Sequence, residues 1–265
     1  MKNLIKAVAV LVLFSFGFAH DPWLECDSFI VKSGQKIVVR NGNGYIYIES
    51  ENAVTPDRIA QVVGIGPDGK EFKPDAPYVH EKWLQLDFTP KKSGNYWFGI
   101  ATKPKFIRLP GADFTEYLEH SGVHNVLKER AKKGISDRDE IEEYSKYVKT
   151  YMQVDETRSS NYDKPLGLVI DTIPLKNPYS LKSGDSLPVQ VLFKGKPLKN
   201  LILYAGAAGH EKPLTHATTD GNGKAEITLS EVGRWYIRGI NLVQVDKEDH
   251  SYESYWTTLT FEVKE

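Results

Sequence analysis

The chain has one cysteine, Cys26, and two methionines in 265 residues. A lone cysteine forms no internal disulfide, so the fold must stand on its hydrophobic core, and Cys26 reads as a small buried hydrophobe rather than a nucleophile. Neither sign of charge is in excess. The sequence has 34 Lys and Arg against 35 Asp and Glu, a formal net charge of -1 and a pI near 6.7. That balance supplies no field for nucleic acid or an anionic membrane surface, so neither partner is expected. Catalytic signatures are missing too. There is no Gly-x-Ser-x-Gly elbow or H-E-x-x-H pair, and Gly64-Ile65-Gly66-Pro67-Asp68-Gly69 is a hairpin turn with no helix after it to cradle a phosphate. The chain therefore reads as a binding protein rather than an enzyme.

Long apolar runs are absent except at the start. Lys2 and Lys6 precede an uncharged stretch from Ala7 to Phe18 that ends in Gly17-Phe18-Ala19, the three regions of a secretory signal peptide cleaved after Ala19. A spanning helix needs about 20 apolar residues, and this run stops at His20, Asp21 and Pro22. Leu24-Glu25 before Cys26 is not the small-residue context of a lipid anchor. Residues 1–19 are thus expected to be removed, leaving a periplasmic chain with no stable membrane insertion.

What is present is a pattern used twice. Val31-Lys32-Ser33-Gly34-Gln35-Lys36-Ile37 recurs as Leu181-Lys182-Ser183-Gly184-Asp185-Ser186-Leu187, each a turn feeding a strand. Ser93-Gly94-Asn95-Tyr96-Trp97-Phe98 recurs as Val232-Gly233-Arg234-Trp235-Tyr236-Ile237. Hairpin signals, Pro67-Asp68-Gly69 and Asp220-Gly221-Asn222-Gly223, lie between the paired segments. The expected fold is mainly β: two tandem immunoglobulin-like or transthyretin-like sandwiches, over residues 20–108 and 165–265. Ser254 to Val263 alternates as a final strand of the second.

Between the copies the period changes. Asp113-Phe114-Thr115-Glu116 fits a capping box ahead of an apolar stripe, Gly122 breaks or kinks that helix, and Asp137 to Met152 places Ile141, Tyr144, Val148 and Tyr151 at helical spacing. The spacing predicts a helical hairpin over 109–154 packed on the first sandwich, with Lys146 and Lys149 on its solvated side. A polar linker is expected over 155–164.

His20-Asp21-Pro22-Trp23-Leu24-Glu25, Phe114-Thr115-Glu116-Tyr117-Leu118-Glu119, Glu143-Tyr144-Ser145-Lys146-Tyr147-Val148-Lys149, Asn177-Pro178-Tyr179 and Tyr252-Glu253-Ser254-Tyr255-Trp256 resemble the DUF4198 family. The order matches, and the stretches span essentially the whole mature chain. The resemblance implies a periplasmic protein linked with nickel or cobalt uptake and a membrane transporter as its partner. Two departures, the absence of histidine near Asn241-Leu242 and Tyr252 in place of tryptophan, would remove a ligand if relatives use that histidine.

From the residues alone, His20 is the most informative. Cleavage after Ala19 would make it the first residue, and a free amine beside an imidazole is a bidentate grip on copper or nickel. The plain alternative is that His20 only suits the peptidase and leads into a strand anchored by Trp23. Further ligands are sought among His80, His210, His216 and His250, and in the pair His120 and His124. His210 sits among small residues in Gly206-Ala207-Ala208-Gly209-His210-Glu211, where an ion has room. The site expected from sequence is therefore His20 with His210, His216 or His80, taking Ni, Co or Cu. A carbohydrate- or protein-binding adhesin module and a copper enzyme with a terminal histidine brace are the alternatives.

Overall fold

The structure, a computed structural model, describes residues 20–265. The signal peptide expected over residues 1–19 lies outside the described residues. The chain opens with β1 (Asp21–Cys26), β2 (Ile30–Val31), β3 (Ile37–Gly44), β4 (Ile59–Ile65) and β5 (Glu71–Phe72). There follow β6 (Tyr78–His80), β7 (Trp83–Phe88), β8 (Gly94–Thr102), β9 (Lys105–Leu109), helices α1 (Gly111–His120) and α2 (His124–Lys133), and the long β10 (Glu140–Val154). Next come β11 (Ile170–Pro174), β12 (Ser186–Phe193), β13 (Lys196–Pro197), β14 (Ile202–Ala207) and β15 (Thr215–Thr218). β16 (Lys224–Thr228), β17 (Gly233–Gln244) and β18 (Tyr252–Val263) end it.

The protein is mainly β, and among the described residues the strands form three sheets. A central ten-stranded sheet runs β15-β14-β17-β18-β10-β8-β4-β5, with β2 and β9 also on β10. One small sheet has the order β1-β3-β7-β6, and the other groups β11, β12, β13 and β16. Successive strand residues point to opposite faces, and the core divides accordingly. Tyr96, Phe98, Ile100, Val148 and Met152 pack with Leu24, Val39 and Leu84 of the first small sheet. Their neighbours Trp97, Ala101, Tyr147 and Tyr151 pack with Ile170, Val189 and Val191 of the second. The central sheet is thus covered on both faces, and every residue of β8 is buried. Cys26 is buried and free, and burial pushes its thiol up.

The two halves share the central sheet. β18 pairs antiparallel with β17 and parallel with β10, from Glu142 opposite Tyr252 to Thr150 opposite Thr260. The repeated segments hold like places: β3 and β12 each lie inside a small sheet, and β8 and β17 lie in the shared one. The expected linker is not free chain, because Asn161 is buried and its amide donates to the carbonyls of Gly66 and Asn95 at 2.8 and 3.1 Å.

The helical hairpin expected over 109–154 is corrected. Helices exist, but they are α1 and α2, and the segment predicted as the second helix is strand β10. β10 is buried on both faces from Ser145 onward, which erases the alternation that marks a half-buried strand; its tyrosine, valine and threonine content was the better guide. Lys146 and Lys149, expected on a solvated face, are both buried. Pro110, not Asp113, precedes the first helical turn of α1. Gly122 does end α1: its φ of 70° is costly for other residues, and a Cβ there would meet the Tyr204 hydroxyl at 2.1 Å.

Candidate metal centre

His20 and its candidate partners His80, His210 and His216 lie on separate elements. His80 is exposed at the end of the edge strand β6, and His216 is exposed on β15 against the ring of Tyr204. His210 lies in the β14–β15 loop, 2.9 Å from Glu231. His20 is part-buried beside β1, with Nε2 3.3 Å from Glu51 and Nδ1 at 3.2 and 3.3 Å from the amide nitrogens of Asn43 and Asn52. Its carbonyl accepts from Lys146 at 2.6 Å, and burial lowers the pKa of the ring. The Asn43 carbonyl also accepts from Lys146, which orients its NH2 toward the imidazole. Any chelate through Nδ1 must therefore displace two amide donors. His120 ends α1 and His124 begins α2, so the two rings do not share a helix.

Among the described residues one group of three ligand-bearing side chains converges. It is Glu143, His250 and Glu253, whose ligand atoms all lie within 4.8 Å of one another. Each place follows from the chain's local structure. Glu143 on β10 stands opposite Glu253 on the parallel β18, so both carboxylates leave one face of the sheet together. The β17–β18 turn brings His250 over them: its Nε2 is 3.5 Å from Glu253 and 4.0 Å from Glu143. The turn is stitched down by Ser251, whose amide donates to the Ile141 carbonyl and whose hydroxyl donates to Glu140. Phe106 on β9 covers the imidazole at a ring separation of 5.3 Å.

His250 is 5% exposed, and its Nε2 is buried without a hydrogen-bond partner. Its other nitrogen, Nδ1, lies 2.6 Å from the Asp249 carboxylate. A carboxylate only accepts, so Nδ1 carries the proton and, in the neutral ring, Nε2 presents its lone pair to the two glutamates. That is the outer-shell arrangement that orients metal-binding histidines and makes them more basic. Lys247 at 2.5 Å and the Tyr255 hydroxyl at 2.7 Å hold the Glu253 carboxyl down to about 2, so it is ionised at working pH. One imidazole and two carboxylates suit a borderline divalent ion such as Ni(II), Co(II), Cu(II) or Zn(II), and a buried ring nitrogen converging with two carboxylates is a donor set that could hold one.

Sequence reasoning reached His250 but not its partners. Glu143 and Glu253 meet only because β10 and β18 are parallel neighbours, and no local motif records that pairing. His250-Ser251-Tyr252-Glu253 was the available signal.

Residues 17–240 match the family model described as a domain of unknown function, DUF4198. The chain belongs to this family. The DUF4198 model thus covers both halves and the central sheet as far as Ile240. No curated protein matches. Among solved structures, trypsin-activated α-2-macroglobulin from Escherichia coli is 8% identical with a TM-score of 0.26, over 92% of this chain. The chain spans 16% of that protein. The D0–D1 domain of intimin is 10% identical with a TM-score of 0.24, over 92% of this chain and 98% of that one. A tetra-tandem repeat from the extending region of a large adhesion protein is 9% identical with a TM-score of 0.26, over 92% of this chain and 49% of that one. These likenesses are too distant to carry a functional argument.

Proposed function

We propose that the protein is an exported, periplasmic transition-metal-binding protein, a nickel or cobalt (or copper) binding or delivery component that serves a membrane uptake transporter. The observation that carries this reading is the buried, partnerless Nε2 of His250 directed at Glu143 and Glu253. The assigned ligand set differs from the His20, His210, His216 and His80 set expected from sequence, whose members lie on separate elements. Three protein ligands leave the remaining coordination positions to water or to a receiving ligand, which suits a delivered ion. Export rests on the N-terminal pattern of residues 1–19.

Calorimetric titration of the chain beginning at His20 with Ni(II), Co(II), Cu(II) and Zn(II) tests the reading. His250→Ala and Glu253→Gln are expected to abolish the high-affinity isotherm, while an extra residue before His20 leaves it intact. If the extension weakens binding and His250→Ala does not, the site is the terminal chelate at His20. If no metal binds either form, the metal reading fails.

A further inference from the structure

The face of the central sheet opposite the metal-ligand cluster carries a second feature. Sheet alternation places Glu143, Glu253 and Tyr255 on one side, and Tyr204, Tyr236, Arg238, Trp256 and Thr258 on the other. On that other side the first small sheet and α1 stand apart, and a cleft opens between them with the β14–β15 loop at its end. The outer part has a volume of about 590 Å³ and is bounded by Tyr45, Tyr117, Tyr204, Lys212 and Trp256. A deeper recess of about 40 Å³ continues beneath, lined by Trp23, Tyr47, Tyr236 and Thr258. The two parts meet at Asp21, Tyr45, Glu211, Pro213 and Arg238.

Three side chains of the recess carry buried polar atoms with no hydrogen-bond partner: Trp23 Nε1, Tyr47 Oη and Thr258 Oγ1. These residues are 2%, 6% and 3% exposed. A buried polar group left unpaired is costly, so three around one recess call for a molecule that satisfies them. Their chemistry limits what that molecule is. The indole N–H only donates, whereas the two hydroxyls both donate and accept. The guanidinium of Arg238 is matched by the Asp21 carboxylate at 3.1 Å, and the rim carries both signs of charge, Lys212 beside Glu211 and Glu119, so no ion of one sign is favoured. A neutral ligand that offers several oxygens able to accept and donate matches this set. Aromatic rings frame the recess: Tyr47 meets Trp23 edge-on at 5.8 Å and Tyr236 at 5.2 Å. Trp23 is seated against Gly42, where a Cβ would come within 2.3 Å of the indole, so the wall is preformed.

We propose that this cleft binds a neutral saccharide, with a pyranose ring in the outer part and a hydroxyl or hydroxymethyl group in the recess against Trp23, Tyr47 and Thr258. The proposal is independent of the metal reading, since the two sites share no residue and lie on opposite faces of the sheet.

Saturation-transfer NMR of the metal-free chain tests it. The probes are D-glucose, D-galactose, D-mannose and N-acetyl-D-glucosamine, with D-glucuronate as the charged comparison. At least one neutral pyranose is expected to receive saturation, and the signal is expected to fall at least tenfold in the double variant Tyr47→Phe with Thr258→Val. Both substitutions remove hydroxyls that have no partner in the protein, so the variant should melt no lower than the natural chain. His250→Ala should retain saccharide binding. Absence of transfer from all four neutral sugars, transfer unchanged in the double variant, or binding of D-glucuronate alone would each overturn the proposal. The first outcome would mean that the recess holds only ordered water.

Discussion

Glu143 and Glu253 occupy the same register of two parallel neighbouring strands, with the partnerless nitrogen of His250 suspended above both. Parallel strands keep facing residues on one side of the sheet, so the two carboxylates repel each other unless a cation lies between them. Lys247 meets part of that need from the exposed turn through Glu253.

Asp249 is the outer partner of the proposed ligand. Asp249→Asn keeps a hydrogen-bonding group but removes the carboxylate that fixes the tautomer and orientation of the ring. Metal affinity should fall roughly tenfold to a hundredfold while the melting temperature holds, as read by calorimetry and thermal unfolding.

Lys247 competes with the ion for Glu253. Its side chain is half exposed, so solvent screens the pair and leaves it weak. Lys247→Met should therefore tighten metal binding by up to roughly fivefold. Unchanged or weaker binding in the titration would show that the lysine does not compete.

Lys149 and Asp171 form an ion pair sealed between the central sheet and the second small sheet, at 1% and 2% exposure. The ammonium lies over the Trp97 ring at 4.7 Å, and burial lowers its pKa. Asp171→Ala leaves that charge buried and alone, at a cost of about 3–5 kcal/mol in urea unfolding. Pairing it with Lys149→Met should recover most of the loss, which separates the stranded charge from lost packing.

Glu25 is buried between Arg234 and Arg40, and burial, only partly offset by those arginines, pushes its carboxyl from 4.5 up to about 7. The folded chain therefore holds a proton there that the unfolded chain releases near pH 4.5. The resulting stabilisation is complete below that pH and is lost as pH rises through 7, a change on the order of 3 kcal/mol. Glu25→Gln should flatten the stability profile between pH 5 and 8 and leave the variant the more stable protein at pH 8. A profile as steep as that of the natural chain would assign the pH dependence to other groups.

The histidines show how far local reading carries. His20, His80, His210 and His216 stand out by residue type and neighbourhood, and they lie on loops and edge strands. Nothing local tells which of them meet. The same limit explains β10. Its tyrosines and valines sit at spacings that satisfy a helix and a doubly buried strand equally, and only the sheets on either side decide between them.

The amino-acid sequence by itself determined that the chain is mainly β, that a helix forms near Asp113, that Cys26 is a core residue, and which family the chain belongs to. These properties live in composition, turn chemistry and short repeats, which act over a few residues. Tertiary structure alone decided the parallel pairing of β10 with β18, and with it the sharing of one sheet by both halves, the burial of Lys146 and Lys149, and the meeting of Glu143 with Glu253. The pairing joins residues 110 positions apart. Its free energy comes from burying both faces of the sheet at once, and no window of the chain contains that term.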